Sequence, residues 1–385
     1  MSAVRVLTAR LIGDRRPTAA RVRVEVVGPP APRLRTRRAG LAVALGLLAV
    51  AAVQLLTDQA IRHEWVPLRD PIYFDKLELL HNHPAFFAPD PGRPLTVLCV
   101  GSSRTLNGVN AAALGPALSA ALGRPATAFN FGQAGAGPVT TAVYTRRLIA
   151  AGVKPGVVLI EVHPVFLAGQ RSDPPETRWL MPVRLRPEEL PLVRSWGFPA
   201  DDPPAHGLRG RLAPWYEYRF LILDRYAPVL LMGGRLNAGH EPDAHGFVRV
   251  APVPPEESRV LLEMTHRQYA DYFPLFRPTG CGVEALRDTL ERCRSAGWRA
   301  GLVLMPESSA FRGWYNQDGL KHCAAVLAGL VDEFGVPLID ARTWVPDELI
   351  GDGHHLTGAG ADVLTERLAR DALAPWLRTP PGPTP

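Results

Sequence analysis

Leu95-Thr96-Val97-Leu98-Cys99-Val100 runs directly into Gly101-Ser102-Ser103-Arg104. A continuous apolar run bounded by Pro94 and Gly101 reads as a strand buried on both faces. Such strands belong to parallel sheets whose two faces are covered by helices. The same pattern returns at 126–131, 157–162, 300–305 and 337–340. Between these runs lie helical stretches at 107–122, 139–152, 284–296 and 319–334, with a closing helix at 357–373. The alternation predicts an α/β, three-layer sandwich with a mainly parallel sheet. In such sheets ligands bind beyond the C-terminal ends of the strands. Ser103, the glycine-rich loop 132–137 and Glu161-Val162-His163 all follow strands at that edge.

A serine there is a weak nucleophile until a base takes its proton. The base is expected near the C-terminus, in Asp352-Gly353-His354-His355-Leu356. A histidine supplies the base, and a carboxylate fixes its tautomer. The two stretches together read as a hydrolytic triad. The duller readings are a strand-end serine that caps the next helix and a polar turn before the last one.

These motifs resemble the SGNH hydrolase superfamily, also called the GDSL family. Gly101-Ser102-Ser103 stands where the family has Gly-Asp-Ser, which implies Ser103 as the nucleophile. Asn130-Phe131-Gly132-Gln133-Ala134-Gly135 matches Asn-x-Gly-x-x-Gly, which implies a backbone N–H from Gly135 in the oxyanion hole beside that of Ser103. Asp352 and His355 match Asp-x-x-His. The Gly-Ser-Ser-Arg variant is similar to membrane-anchored, extracytoplasmic members. The third motif departs. The family places an asparagine after the third strand, and this chain has Glu161-Val162-His163-Pro164. Gln133, Asn107 and Arg104 are the candidates to replace that amide.

Charge divides the chain. Residues 1–57 hold ten arginines and two acids, and the remainder holds 33 basic and 35 acidic residues. The basic excess belongs to the N-terminal segment, so the main body has no charge support for nucleic-acid binding. After Arg35-Thr36-Arg37-Arg38 come eighteen residues, 39–56, with Gln54 as the one polar side chain. That length reaches the short end of what crosses a bilayer. Arginines before the run predict a cytoplasmic N-terminus and an exported body at the cytoplasmic membrane. A cleaved signal peptide ending at Ala49-Val50-Ala51 and a buried helix are the rivals. The expected organisation is a basic cytosolic tail (1–38), a transmembrane signal anchor (39–57) and a stem (58–94) with a helix at 72–82. The catalytic domain follows (95–378), with a helical and irregular insertion at about 167–280, a candidate lid, and then a disordered tail (379–385). Four cysteines, Cys99, Cys281, Cys293 and Cys323, show neither a disulfide framework nor zinc spacing. His81-x-His83 lacks a third ligand. No metal and no cofactor is expected.

The remaining candidates are substrate contacts: Arg104, Asn107, Asn130, Gln133, Glu161, His163 and Glu307, the last with Arg312 as a partner. His354 is read as a solvent-facing neighbour of the base. Trp179, Trp196, Trp215, Tyr216 and Tyr218 form either a sugar-stacking wall or the packing of the insertion. The function expected is a serine esterase or O-acyltransferase acting on a cell-envelope or exported glycan, with envelope-biosynthesis membrane proteins as possible partners. The alternative is an inactive glycan-binding or assembly subunit that kept the fold.

Overall fold

The computed structural model describes residues 36–66, 68–88, 92–168, 174–180, 182–202, 207–231, 241–274 and 277–379. The expected basic tail up to residue 35, residues 89–91 of the expected stem and the tail from 380 onward lie outside the described residues. The chain divides into two compact units, Met1–Val50 and Ala51–Pro385.

The helix Thr36–Arg62 contains Ala39–Arg62, which is long and apolar enough to cross a membrane; the mean hydropathy of its most apolar window is 2.3. Its leucines and valines are exposed, as in a helix that needs an apolar solvent. It is a candidate membrane span.

Five strands form the sheet of the second unit: β1 (Leu95–Val100), β2 (Ala126–Asn130), β3 (Val157–Val162), β4 (Arg299–Leu304) and β5 (Leu338–Asp340). Every pairing is parallel, and the spatial order is β2-β1-β3-β4-β5. Side chains alternate between faces along each strand. Leu98, Val100, Val158 and Ile160 pack on one face with the helices Pro138–Ala150, Cys281–Ser295 and Gln317–Phe334. Val97, Cys99, Val157 and Leu159 pack on the other with Ala111–Leu122 and Gly358–Arg367. The α/β reading therefore holds, with helices on both faces. The strand order reverses between β1 and β3, which opens a crevice at their C-terminal ends.

Two boundaries differ from expectation. The helix expected at 107–122 is two helices, Ser103–Gly108 and Ala111–Leu122. Asn110 interrupts them, because its side chain accepts the Ala113 N–H and caps the second. The segment 58–94 is not a spacer. Tyr73, Leu80 and Phe86 are buried in the main core, and Tyr73 packs against Phe131 and against Tyr144 of the helix Pro138–Ala150.

The four cysteines are free and buried. Burial pushes the thiols of Cys99, Cys293 and Cys323 up to about 12, which removes them as nucleophiles. His81 stacks on Phe87, and His83 contacts the Ala244 carbonyl at 2.8 Å, so each has its own structural partner.

Candidate active site

The turn after β1 carries Ser103 at the start of a short helix. Ser102 caps that helix by accepting the Arg104 N–H. Glu161, near the end of β3, reaches under the same turn. Its carboxylate accepts the Ser102 N–H (2.8 Å), the Ser102 hydroxyl (2.6 Å), the Thr105 N–H (3.1 Å) and the Thr105 hydroxyl (2.6 Å). Gly101 makes room for this approach: a Cβ there would lie 2.4 Å from Glu161 Cβ and from Thr105 Oγ1. Glu161 is thus a positioning group beneath the serine turn, and its carboxylate is spent on that turn rather than on a substrate.

The second stretch arrives on a pinned loop. Ile350 and Leu356 form an antiparallel bridge, and the Gly351 N–H donates to the His355 carbonyl at 2.8 Å. Gly353 turns the chain at φ +100°, a conformation that favours glycine. The Asp352 carboxylate accepts the backbone N–H groups of His354 (3.1 Å) and His355 (2.8 Å), and its other oxygen lies 2.6 Å from His355 Nδ1. A carboxylate only accepts, so Nδ1 carries the ring proton and Nε2 carries the lone pair. Nε2 lies 2.7 Å from Ser103 Oγ. Burial raises the Asp352 carboxyl, but the facing His355 and His354 and the ring and backbone N–H donors of His355 outweigh it and hold it far below the usual carboxylate range. The structure thus brings together Ser103, His355 and Asp352 across 252 residues of sequence.

A cavity of about 400 Å³ opens over Ser103 and His355, and Gly135, Asn107, Arg104 and His163 also line it. Gly135 has φ +74°, and a Cβ there would lie 2.5 Å from Trp179, which also lines the cavity. Gly135→Ala is therefore expected to combine backbone strain with a collision. A drop of about 2 kcal/mol in unfolding free energy, read by denaturant titration, is the expected outcome. The insertion supplies further walls through Trp179 and through Tyr269 of the helix Pro255–Tyr269.

Glu176 fixes this part of the insertion and was not found in the sequence reading. Its buried carboxylate accepts the N–H groups of Gly137, Val139 and Thr140 at the start of Pro138–Ala150. An acceptor at a helix N-terminus satisfies donors that have no intrahelical partner. No local pattern signals it, because the acceptor lies 36–39 residues from the donors.

The other expected contacts divide by geometry. Asn130 is fully buried; its amide donates to the Thr105 and Val109 carbonyls, both at 2.7 Å, and its oxygen accepts the Gly132 N–H. It braces the serine turn and does not line the cavity. Gln133 lines a different cavity, and its side-chain oxygen accepts from Arg184 at 3.3 Å. Asn107 lines the site, but its amide donates to the Val248 carbonyl at 3.0 Å. Arg104 is buried; it donates to the Met305 and Pro306 carbonyls and pairs with Glu307 at 3.3 Å. Glu307 is buried away from the cavity and also accepts from the Tyr315 hydroxyl. Burial raises its carboxyl while Arg104 opposes the rise. Arg312 donates to the Glu307 backbone carbonyl, not to its carboxylate. His354 is buried rather than solvent-facing, packed against Phe311 and His355. Trp196 and Tyr218 are buried packing residues, while Trp215 is 51% and Tyr216 39% exposed and neither lines the site. Asp352, His354 and His355 each bring one ligand atom within 4.8 Å of the others. The hydrogen bonds of Asp352 and of both His355 nitrogens occupy those two residues, which are read as acid–base machinery, while His354 Nδ1 has no hydrogen-bond partner among the described residues.

Behind the Asn130 loop sits Lys76, buried, its ammonium donating to the Asn130 carbonyl at 2.8 Å and to the Gly246 carbonyl. Burial lowers its pKa from 10.5 to about 7, with Asp243 opposing. Below about pH 7 the lysine is protonated both folded and unfolded, and its buried charge costs stability. Between about 7 and 10.5 only the unfolded chain binds the proton, so stability from this group rises with pH. The unfolding free energy of the wild type minus that of Lys76→Met is expected to rise by about 1.4 kcal/mol per pH unit across that window.

No family model matches this chain, and no curated protein matches it. Among solved structures it is similar to a carbohydrate acetylesterase family member from Sinorhizobium meliloti, with 13% identity and a TM-score of 0.33 over 74% of this chain and 97% of that one. An aryl esterase from M. smegmatis gives 12% identity and a TM-score of 0.34 over 72% and 97%. A family two carbohydrate esterase from Clostridium thermocellum, in complex with cellohexaose, gives 11% and 0.28 over 74% and 65%. Likenesses this distant transfer neither chemistry nor substrate, and the functional reading rests on this chain's own residues.

Proposed function

We propose that the chain is a serine-dependent ester hydrolase or O-acyltransferase. The observation that carries this reading is the relay Ser103 Oγ, His355 Nε2, His355 Nδ1, Asp352, with contacts of 2.7 and 2.6 Å. In the first half-reaction Ser103 Oγ adds to the ester carbonyl carbon and its proton passes to His355 Nε2. The carbonyl π pair moves onto oxygen, facing the N–H groups of Ser103 and Gly135. Collapse re-forms the carbonyl and expels the alkoxide, which takes the proton from His355. In the second half-reaction water or a sugar hydroxyl gives its proton to His355 and attacks the acyl-Ser103 ester; collapse breaks the bond to Ser103 Oγ, which takes the proton back from His355, and the acid or acylated sugar leaves. Asp352 keeps the imidazole in the required tautomer and stabilises the imidazolium. Asp352→Asn is expected to lower turnover by about 10⁴-fold, because an amide permits the wrong tautomer.

The substrate we infer is an acylated glycan at the cell envelope, with the enzyme tethered by the candidate span and its body outside the cytoplasm. Support comes from the apolar helix behind an arginine-rich flank, and from the Trp179 and Tyr269 walls of the cavity, which suit sugar faces. The test is to acid-quench the full-length protein during turnover of p-nitrophenyl acetate and map the trapped acetyl group. An acetyl ester on Ser103 supports the reading. Adding a glycan acceptor then separates hydrolysis, which releases acetate, from transfer, which yields an acetylated sugar. Turnover with no acetylated Ser103 would refute the covalent route.

A further inference from the structure

His163 follows β3 directly and is 3% exposed. Among the described residues, neither ring nitrogen has a hydrogen-bond partner. Its contacts are with other rings: Phe166 at 4.9 Å, Tyr269 at 5.9 Å, His354 at 5.9 Å and Phe311 at 6.1 Å between centroids. Leaving a buried polar group unpaired costs stability. Such groups are rare in folded proteins and call for a partner that arrives later. His163 lines the cavity that holds Ser103, Gly135 and His355, so a ligand bound there meets it.

Among the described residues that line this cavity, Arg104 and His354 also hold buried nitrogens without a hydrogen-bond partner, Arg104 Nε and His354 Nδ1, while the other competing donors are committed elsewhere. The Asn107 amide is bound to the Val248 carbonyl, Arg104 to two carbonyls and Glu307, and Gln133 faces the other cavity. Burial first, then the charges of Arg104, His354 and His355, hold His163 well below its ordinary pKa, so the ring is neutral. A neutral imidazole has one N–H and one lone pair. No group among the described residues fixes its tautomer, so the proton can occupy whichever nitrogen meets an acceptor. Neutrality also suits the reaction, because a second imidazolium would oppose the one that forms on His355.

We propose that His163 is a catalytic residue that donates a neutral imidazole N–H to the oxyanion of the tetrahedral intermediate, beside the backbone N–H groups of Ser103 and Gly135. This inference rests on the esterase reading above. As the bond from Ser103 Oγ to the carbonyl carbon forms, the π pair moves onto oxygen and the His163 hydrogen bond strengthens. It weakens again when the leaving alkoxide departs with the proton held by His355. His163 itself neither gains nor loses a proton.

The test uses the full-length protein with p-nitrophenyl acetate, and follows kcat, KM and the unfolding midpoint. His163→Phe keeps the ring and the apolar contacts but has no donor. It is expected to fold with a midpoint at or above that of the wild type and to lose about 10²–10³-fold in kcat, with KM changed by less than about threefold. His163→Asn and His163→Gln present an amide N–H near the positions of Nδ1 and Nε2, and one of them is expected to recover at least about tenfold. A His163→Phe enzyme with wild-type kcat, a loss confined to KM, or equal impairment of all three variants overturns the proposal. Wild-type protein without Ser103-dependent turnover overturns the esterase reading and this inference together.

Discussion

Ser103→Ala is expected to reduce ester turnover on the order of 10⁴–10⁶-fold while leaving the unfolding midpoint within about a degree or two of wild type. The size follows from the absence of a substitute. Burial holds the thiols of the described cysteines out of reach of nucleophilic chemistry. The neighbouring Ser102 hydroxyl is bound to Glu161 at 2.6 Å and caps the helix, so it cannot take over. Stability is spared because, among the described residues, the Ser103 hydroxyl has one hydrogen-bond partner, His355, on a loop that backbone bonds already hold. The kinetic trace and the melting curve of the same preparation check both halves of this expectation.

Glu161→Ala is expected to be the most damaging change outside the triad. Four donors, two backbone and two hydroxyl, converge on that carboxylate in a buried space. The hydroxyls can turn toward other acceptors, but the N–H groups of Ser102 and Thr105 cannot. Leaving them unpaired costs about 3 kcal/mol or more. It also frees the turn that aims Ser103, so kcat is expected to fall by about 10²-fold beyond any loss of folded protein. Glu161→Gln separates the two roles. Its oxygen can take the position that accepts both N–H groups, and the Ser102 hydroxyl can rotate to accept from its amide. Activity within about tenfold of wild type is expected for Gln, against the large loss for Ala. Equal losses would mean that the negative charge itself is needed. Denaturant titration alongside steady-state kinetics reads both.

The five strands were legible because each is a short apolar run closed by glycine, proline or a charge, as 95–100 and 157–162 illustrate. Their lateral order was not, since β1 pairs with β2 and β3 through contacts that no local pattern encodes. Ser103 and His355 could be brought together on paper because the chemistry of serine demands a base, and Asp352-x-x-His355 offers one at turn spacing. The burial of Arg104, Glu307 and His354 was hidden. A charged or imidazole side chain in a loop reads as exposed until the fold supplies its partners. Arg104 finds carbonyls 201 and 202 residues away. Glu161 shows the same limit: the sequence marks an acid at a strand end, but the turn it braces lies 56 to 59 residues earlier.

The central claim is that Ser103 is a nucleophile activated by His355, and fluorophosphonate labelling of the full-length protein with peptide mapping tests it most directly. The account predicts one adduct, on the peptide containing Ser103, absent in Ser103→Ala and slowed on the order of 10³-fold or more in His355→Ala. A folded wild-type protein that takes no label, or takes it at another residue, would contradict it.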